Sequence, residues 1–186
     1  MGLGRWRLTN LVAALAMVAT LGTLAVGLPA IDRALPAERP VSALRPYPVG
    51  GGITVVPPPG ATIDVTRTRP GDAAGTVLFV VGPVRYAIVV RPFDGDLSTA
   101  AGRLRSKITE KPGYQVTGAE TRTVTDSGLT GIQGGYTAPG RGGRYAVFLT
   151  RGLAIEVTVS GDDMGHGRVL AAVDASARTI SDGGDR

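Results

Sequence analysis

"GTVLFVVGPVRYAIVVRPFDGDLSTAAGRLRSKITE" (residues 75–110) contains a change of period, and the fold class follows from it. Up to Phe93 the stretch is two strongly β-branched runs around Gly82-Pro83, and that turn chemistry predicts a hairpin. From Asp96 onward Leu97, Ala101, Leu104 and Ile108 stand at i, i+4, i+7 and i+11, the single apolar stripe of a helix. Asp96 is the expected N-cap, and Pro112-Gly113 stops the helix. Asp94-Gly95-Asp96 has the look of a calcium loop. The later acceptor and the bidentate glutamate at the twelfth position are missing, so a turn plus a cap accounts for it.

Strand-like segments lie on both sides. "ATIDVTRT" (61–68) sets Ile63 and Val65 on one face and Thr62, Asp64 and Thr66 on the other. After the helix come "YQVTGAETRTVT", "LTGIQGGYTA", "RYAVFLTR" and "LAIEVTVSG", four strand-like runs joined by Gly-rich turns. Arg151-Gly152 reads as a tight turn that pairs Tyr145–Thr150 with Ala154–Ser160 antiparallel. A final helix, about Arg168 to Ile180, presents Val169, Val173, Ala177 and Ile180 on one side. Strands, helix, strands, helix is the order of an α+β domain, an antiparallel sheet carrying two packed helices, over residues 53–182 with a tail at 183–186.

The helix ended by Pro112-Gly113-Tyr114, the turn Gly128-Leu129-Thr130-Gly131 and the closing "LAAVDASARTI" together resemble the PsbP-like fold, and especially the LpqN-type lipoproteins of actinobacterial envelopes. The resemblance covers about residues 53–182. It implies varied protein–protein binding roles and no shared catalytic residues. Those lipoproteins carry an acylated cysteine, and this chain has no cysteine at all, so an N-terminal helix would take the place of the lipid.

That helix is expected at residues 8–28. Leu8 to Leu28 is a run without a charge, and as a helix it would span about 30 Å, the thickness of a bilayer's hydrocarbon core. A cleaved signal has a shorter apolar region and a small-residue exit, whereas Leu28-Pro29-Ala30 and Leu35-Pro36-Ala37 both put leucine at the position that wants a small side chain. Arg5, Trp6 and Arg7 precede the run, which predicts a cytoplasmic segment at 1–7 and an extracytoplasmic C-terminal part. Residues 29–52, with Pro29, Pro36, Pro40, Pro46, Pro48 and Gly50-Gly51-Gly52, read as an extended linker.

Composition narrows the function classes. The net charge is +5, Arg5 and Arg7 supply part of it, and the rest alternates in sign along the chain, so no nucleic-acid footprint is visible. Without cysteine there is no disulfide, thiolate metal site or cysteine nucleophile. Lys107 and Lys111 are the only lysines among 20 basic residues, a codon-usage mark of a high-GC bacterium.

Two segments carry candidate chemistry. "SGDDMGHGR" (160–168) holds the single histidine, His166, with Asp162, Asp163 and Ser160. A Ser–His–Asp relay needs a preorganised nucleophile and oxyanion site, and no G-x-S-x-G elbow exists; a metal site needs further ligands from elsewhere in the fold. "YTAPGRGGRY" (136–145) reads as a Gly-rich loop with Tyr136, Arg141, Arg144 and Tyr145, residue types that dominate interfaces; the plainer reading is a mobile hairpin tip. No catalytic, metal or cofactor site is assigned. The expectation is a single-pass protein of a bacterial cell membrane whose outer domain binds another envelope protein. The alternatives are a lipid or small-ligand carrier, and a hydrolase or metal-dependent enzyme using the loop at 160–166.

Overall fold

The computed structural model describes residues 37–161 and 167–183. The expected cytoplasmic segment 1–7, membrane helix 8–28 and the candidate residues Asp162, Asp163 and His166 lie outside them. Among the described residues no helix is long and apolar enough to cross a membrane.

The domain is α+β. Its strands are β1 (Glu38–Pro40), β2 (Tyr47–Gly50), β3 (Ile53–Val55), β4 (Thr62–Asp64), β5 (Gly75–Val81), β6 (Val84–Pro92), β7 (Gln115–Val124), β8 (Thr130–Ala138), β9 (Arg141–Thr150), β10 (Leu153–Gly161) and β11 (Ser181–Asp182). Its helices are α1 (Leu97–Thr109) and α2 (Gly167–Arg178). An eight-stranded sheet runs in the order β1-β4-β5-β6-β10-β9-β8-β7, and a three-stranded sheet in the order β11-β3-β2. Every strand pair in both is antiparallel.

The hairpins at Gly82-Pro83 and Arg151-Gly152 form as their turn chemistry predicts. Asp96 caps α1: its carboxylate accepts from the Thr99 backbone N–H at 2.7 Å and from the Ser98 hydroxyl at 2.8 Å. α1 buries Ala101, Leu104 and Ile108 of the expected stripe together with Ala100, and Ala100, Leu104 and Ile108 pack with Tyr136, Tyr145 and Val147. Its two flanks are pinned to the sheet, Arg105 to Glu120 on β7 and Lys107 to Glu156 on β10.

Two expectations are corrected. Residues 38–52 belong to the domain, not to a linker. Val49 is fully buried, Gly50 ends β2 paired with Ile53, and Gly51-Gly52 is the turn of the β2–β3 hairpin. Close approach of two backbones requires glycine there: a Cβ on Gly75 would lie 1.8 Å from the Val49 carbonyl oxygen, and one on Gly50 2.7 Å from Ala74. Pro40 is tolerated because β1 is the edge of its sheet. The alternation of 62–66 also stops early. The Asp64 carboxylate accepts from the backbone N–H groups of Thr66 and Arg67, which turns the chain and leaves Val65 38% exposed.

The two faces of the large sheet are covered at opposite ends. Val77, Phe79, Tyr86, Ile88, Ile155 and Val157 point to one face, where α2 and the small sheet close over them through Val173, Ile180, Ile53 and Val55. The opposite face is covered by α1 on β7, β8 and β9.

Candidate functional site

That offset leaves a groove on the α2 face where the sheet runs past the helix. Thr121 and Thr123 on β7, Gln133 on β8 and Arg144, Ala146 and Phe148 on β9 point to this face. Val157 and Val159 of β10 continue the apolar floor, and Asp174, Ala177 and Arg178 of α2 form the wall, enclosing about 410 Å³. Small side chains make the space: Gly135, Ala146 and Ala177 stand where larger residues would fill it.

The groove is fixed at both rims. The Arg144 guanidinium donates to Asp174 at 2.6 Å, tying β9 to α2 across the opening. The Asp126 backbone N–H donates to the Arg178 carbonyl at 2.8 Å, and the Ser127 hydroxyl donates to the Ile180 carbonyl at 2.9 Å, so the β7–β8 turn holds the end of the helix. The result is an apolar floor between hydroxyl, amide and paired charges, the makeup of a binding cleft.

The Tyr136–Tyr145 segment is corrected. It is not a loop. β8 and β9 meet at the two-residue turn Pro139-Gly140, and all four named residues lie in strands. Tyr136 and Tyr145 are 6% and 1% exposed and face α1, whereas Arg144 faces α2 and Arg141 is exposed at the hairpin end. The structure therefore does not bring the four together. Their glycines serve packing: a Cβ on Gly143 would lie 2.1 Å from the Tyr136 ring, and one on Gly134 2.5 Å from the Tyr145 hydroxyl. Each tyrosine crosses the strand beside its own. Tyr136 passes over Gly143 of β9 and donates to the Val159 carbonyl of β10 at 3.1 Å; Tyr145 passes over Gly134 of β8 to Glu120 of β7. Burial raises both phenols, and that of Tyr145 is pushed up to about 12, with the Glu120 carboxylate adding to the effect.

Thr121, Thr123, Gln133, Phe148 and Asp174 were not singled out from the sequence. The signal available was the alternation of Thr121 and Thr123 along β7, continued by Thr125 just past its end, a polar face where burial would ask for an apolar one.

No protein-family model and no curated protein matches the chain. Solved structures do. The solution structure of cyanobacterial PsbP (CyanoP) from Synechocystis sp. PCC 6803 is similar at 15% identity and TM-score 0.53, over 74% of this chain and 91% of that one. LpqN of Mycobacterium tuberculosis, described as involved in cell envelope biogenesis, matches at 15% identity and TM-score 0.37, over 77% of this chain and 89% of that one. The fold is PsbP-like.

Proposed function

We propose that this chain is a non-enzymatic protein of a bacterial cell envelope, held in the membrane by residues 8–28, whose extracytoplasmic domain binds another envelope protein through the groove between α2 and β7–β9. The observation that carries the reading is the groove: an apolar floor of Phe148, Val157 and Val159 under a rim closed by the Arg144–Asp174 pair. The uncharged run from Leu8 to Leu28 behind Arg5 and Arg7 supports the anchor and its orientation.

The test is a photo-crosslinking residue at Gln133 in the full chain, expressed in cells, with Ala177→Leu as a filled-groove control. A discrete heteromeric band that the control removes supports the reading; a band unchanged by the control, or none, sinks it. Carbonate washing of the membranes with an intact mass checks the anchor separately: full-length chain in the pellet supports it, and a shortened soluble product overturns it.

The enclosed volume favours a second reading, a carrier or sensor of one small apolar ligand, since about 410 Å³ lies within the range of small-molecule pockets. Native mass spectrometry of the purified chain separates the two. A bound lipid-sized mass lost in the Ala177→Leu variant supports the carrier.

A further inference from the structure

The sheet edges are finished differently. β1 has three residues, one of them Pro40; in the small sheet β2 has four with Pro48, and β11 has two. Short strands and prolines blunt an edge against further pairing. β7, at the other end of the large sheet, is ten residues long, contains no proline and pairs only with β8 among the described residues. Thr121 and Arg122 are exposed, and Val124 is 55% exposed. An extended backbone with one unpaired side is a template for one more strand.

The side chains of this edge specify which strand. Glu120 lies on the α1 side, where Tyr145 and Arg105 reach its carboxylate. Arg122, two residues on and opposite Ile132, shares that side, whereas Thr121 and Thr123 line the groove. Arg122 makes no salt bridge among the described residues. Glu120 is 26% exposed, and a carboxylate with about four acceptor sites has room for a third donor. The run Glu120-Thr121-Arg122 is therefore self-complementary. When two copies of it pair antiparallel about a two-fold axis through Thr121, Glu120 of each faces Arg122 of the other. An axis at Glu120 or Arg122 sets like charges opposite each other, one at Thr123 sets Glu120 against Asp126, and one at Val124 runs into the β7–β8 turn. The Thr121 register also puts Val124 of the second copy opposite Gly118, beside the bulge, where a Cβ would meet nothing within 4 Å.

We infer that β7 is a homodimerisation edge: two copies of this chain pair antiparallel about Thr121, with Glu120–Arg122 pairs across the seam on the α1 side. The axis is perpendicular to the sheet, so like faces stay together. The two α1 helices, each over β7–β9, stand about three strand spacings apart, roughly 14 Å, which exceeds the 8–10 Å of packed helices. On the other side Thr121 and Thr123 of both copies form the middle of one trough, because β7 borders each groove. The pairing does not depend on what the groove binds.

The chain has no cysteine, so one introduced thiol reports the seam. Thr121→Cys sets two thiols directly opposite, with Cβ atoms about 4.5–5.5 Å apart and near disulfide geometry. Thr123→Cys sets them about 13 Å apart along the strands. The test is mild copper-phenanthroline oxidation of the full chain in the cells that express it, read on non-reducing gels. Thr121→Cys should give at least ten times the disulfide dimer of Thr123→Cys. Adding Arg122→Glu to Thr121→Cys, which sets carboxylate against carboxylate, should lower the yield at least tenfold, and Arg122→Lys should preserve it. Ala177→Leu should leave it unchanged, so a failure of the groove reading and a failure of this one are distinguishable. Circular dichroism confirms that each variant is folded. No dimer, equal yields at the two positions, or a yield unmoved by Arg122→Glu overturns the inference. Capture of a different protein by a benzophenone attached to the Thr121→Cys thiol, without dimer, overturns it as well and assigns the edge to a strand of that protein.

Discussion

The Tyr145 hydroxyl donates to Glu120 Oε1 at 2.8 Å, spanning β8 from β9 to β7. Arg105 of α1 stands 3.5 Å from the other oxygen of the same carboxylate, so one acidic residue on the edge strand joins the sheet to its helix. Burial and the neighbouring carboxylate raise the phenol to about 12. A group whose pKa is higher in the folded than in the unfolded chain stabilises the fold fully below its unfolded value, near 10, and that contribution is lost as pH rises toward 12. Unfolding by urea between pH 9 and about 12 should show this fall. Tyr145→Phe should flatten it and, at pH 7, cost about 1.5 kcal/mol for the lost charge-assisted bond. An unchanged alkaline limb in Tyr145→Phe would place the titration elsewhere.

Gly143 and Gly134 are fixed by the rings that cross them. A methyl at either position meets a buried aromatic ring that has nowhere to swing, so each alanine substitution should cost about 1–3 kcal/mol, with Gly143 the more sensitive because its Cβ would come closer to the ring. The cost at Gly143 should fall when Tyr136→Leu accompanies it, because the shorter side chain no longer covers β9. Additive losses in that double-mutant cycle would mean that the ring is not the obstacle.

These tyrosines also show which parts of the fold the sequence disclosed. Period and turn chemistry identified β5–β6, α1 and β9–β10, because each is a local pattern closed by its own turn. The same rules misread residues 136–145, where the glycines accommodate rings from a neighbouring strand and do not mark a loop. They misread residues 38–52 for a related reason: Gly50 is set by the approach of β5, more than twenty residues along the chain. The groove was the least legible. Its walls come from β7, β8, β9, β10 and α2, and nothing local ties Thr123 to Asp174 or Phe148 to Ala177. Arg144 was picked out for its residue type, and only the pairing register shows that it leaves the two tyrosines and turns to Asp174.

The acid limb of stability should belong in part to Asp96. Its carboxylate is held below the ordinary aspartate range chiefly by the Thr99 backbone N–H, with the Ser98 hydroxyl next. A depressed folded pKa gives stability that is present above the unfolded value, near 3.9, and lost as pH falls below it. Asp96→Asn keeps a capping side chain but cannot titrate. Thermal melts from pH 6 down to about 2 should therefore fall less steeply in the asparagine variant. Parallel curves for the two proteins would show that the cap makes no contribution to the acid limb.

Arg151 combines a backbone cost with a side-chain gain, and the two can be measured apart. It opens the β9–β10 turn at φ 43°, the left-handed region that a non-glycine residue occupies at a cost of order 1 kcal/mol. Its guanidinium forms a two-pronged pair with Asp182, which also accepts from the Thr150 hydroxyl at 2.9 Å and sits on β11 against β3. The fork ties the turn of the large sheet to the last strand of the small one. The arginine is more than half exposed, so the pair itself is worth about 1 kcal/mol at most, close to the strain it offsets. Arg151→Gly should then be nearly neutral in the intact chain. In an Asp182→Ala background, where the strain remains and the fork is gone, the same substitution should stabilise by about 1 kcal/mol. Denaturant unfolding of the four proteins in that cycle decides it. The same effect of Arg151→Gly in both backgrounds would mean that Arg151 and Asp182 act independently and that the turn does not depend on β11.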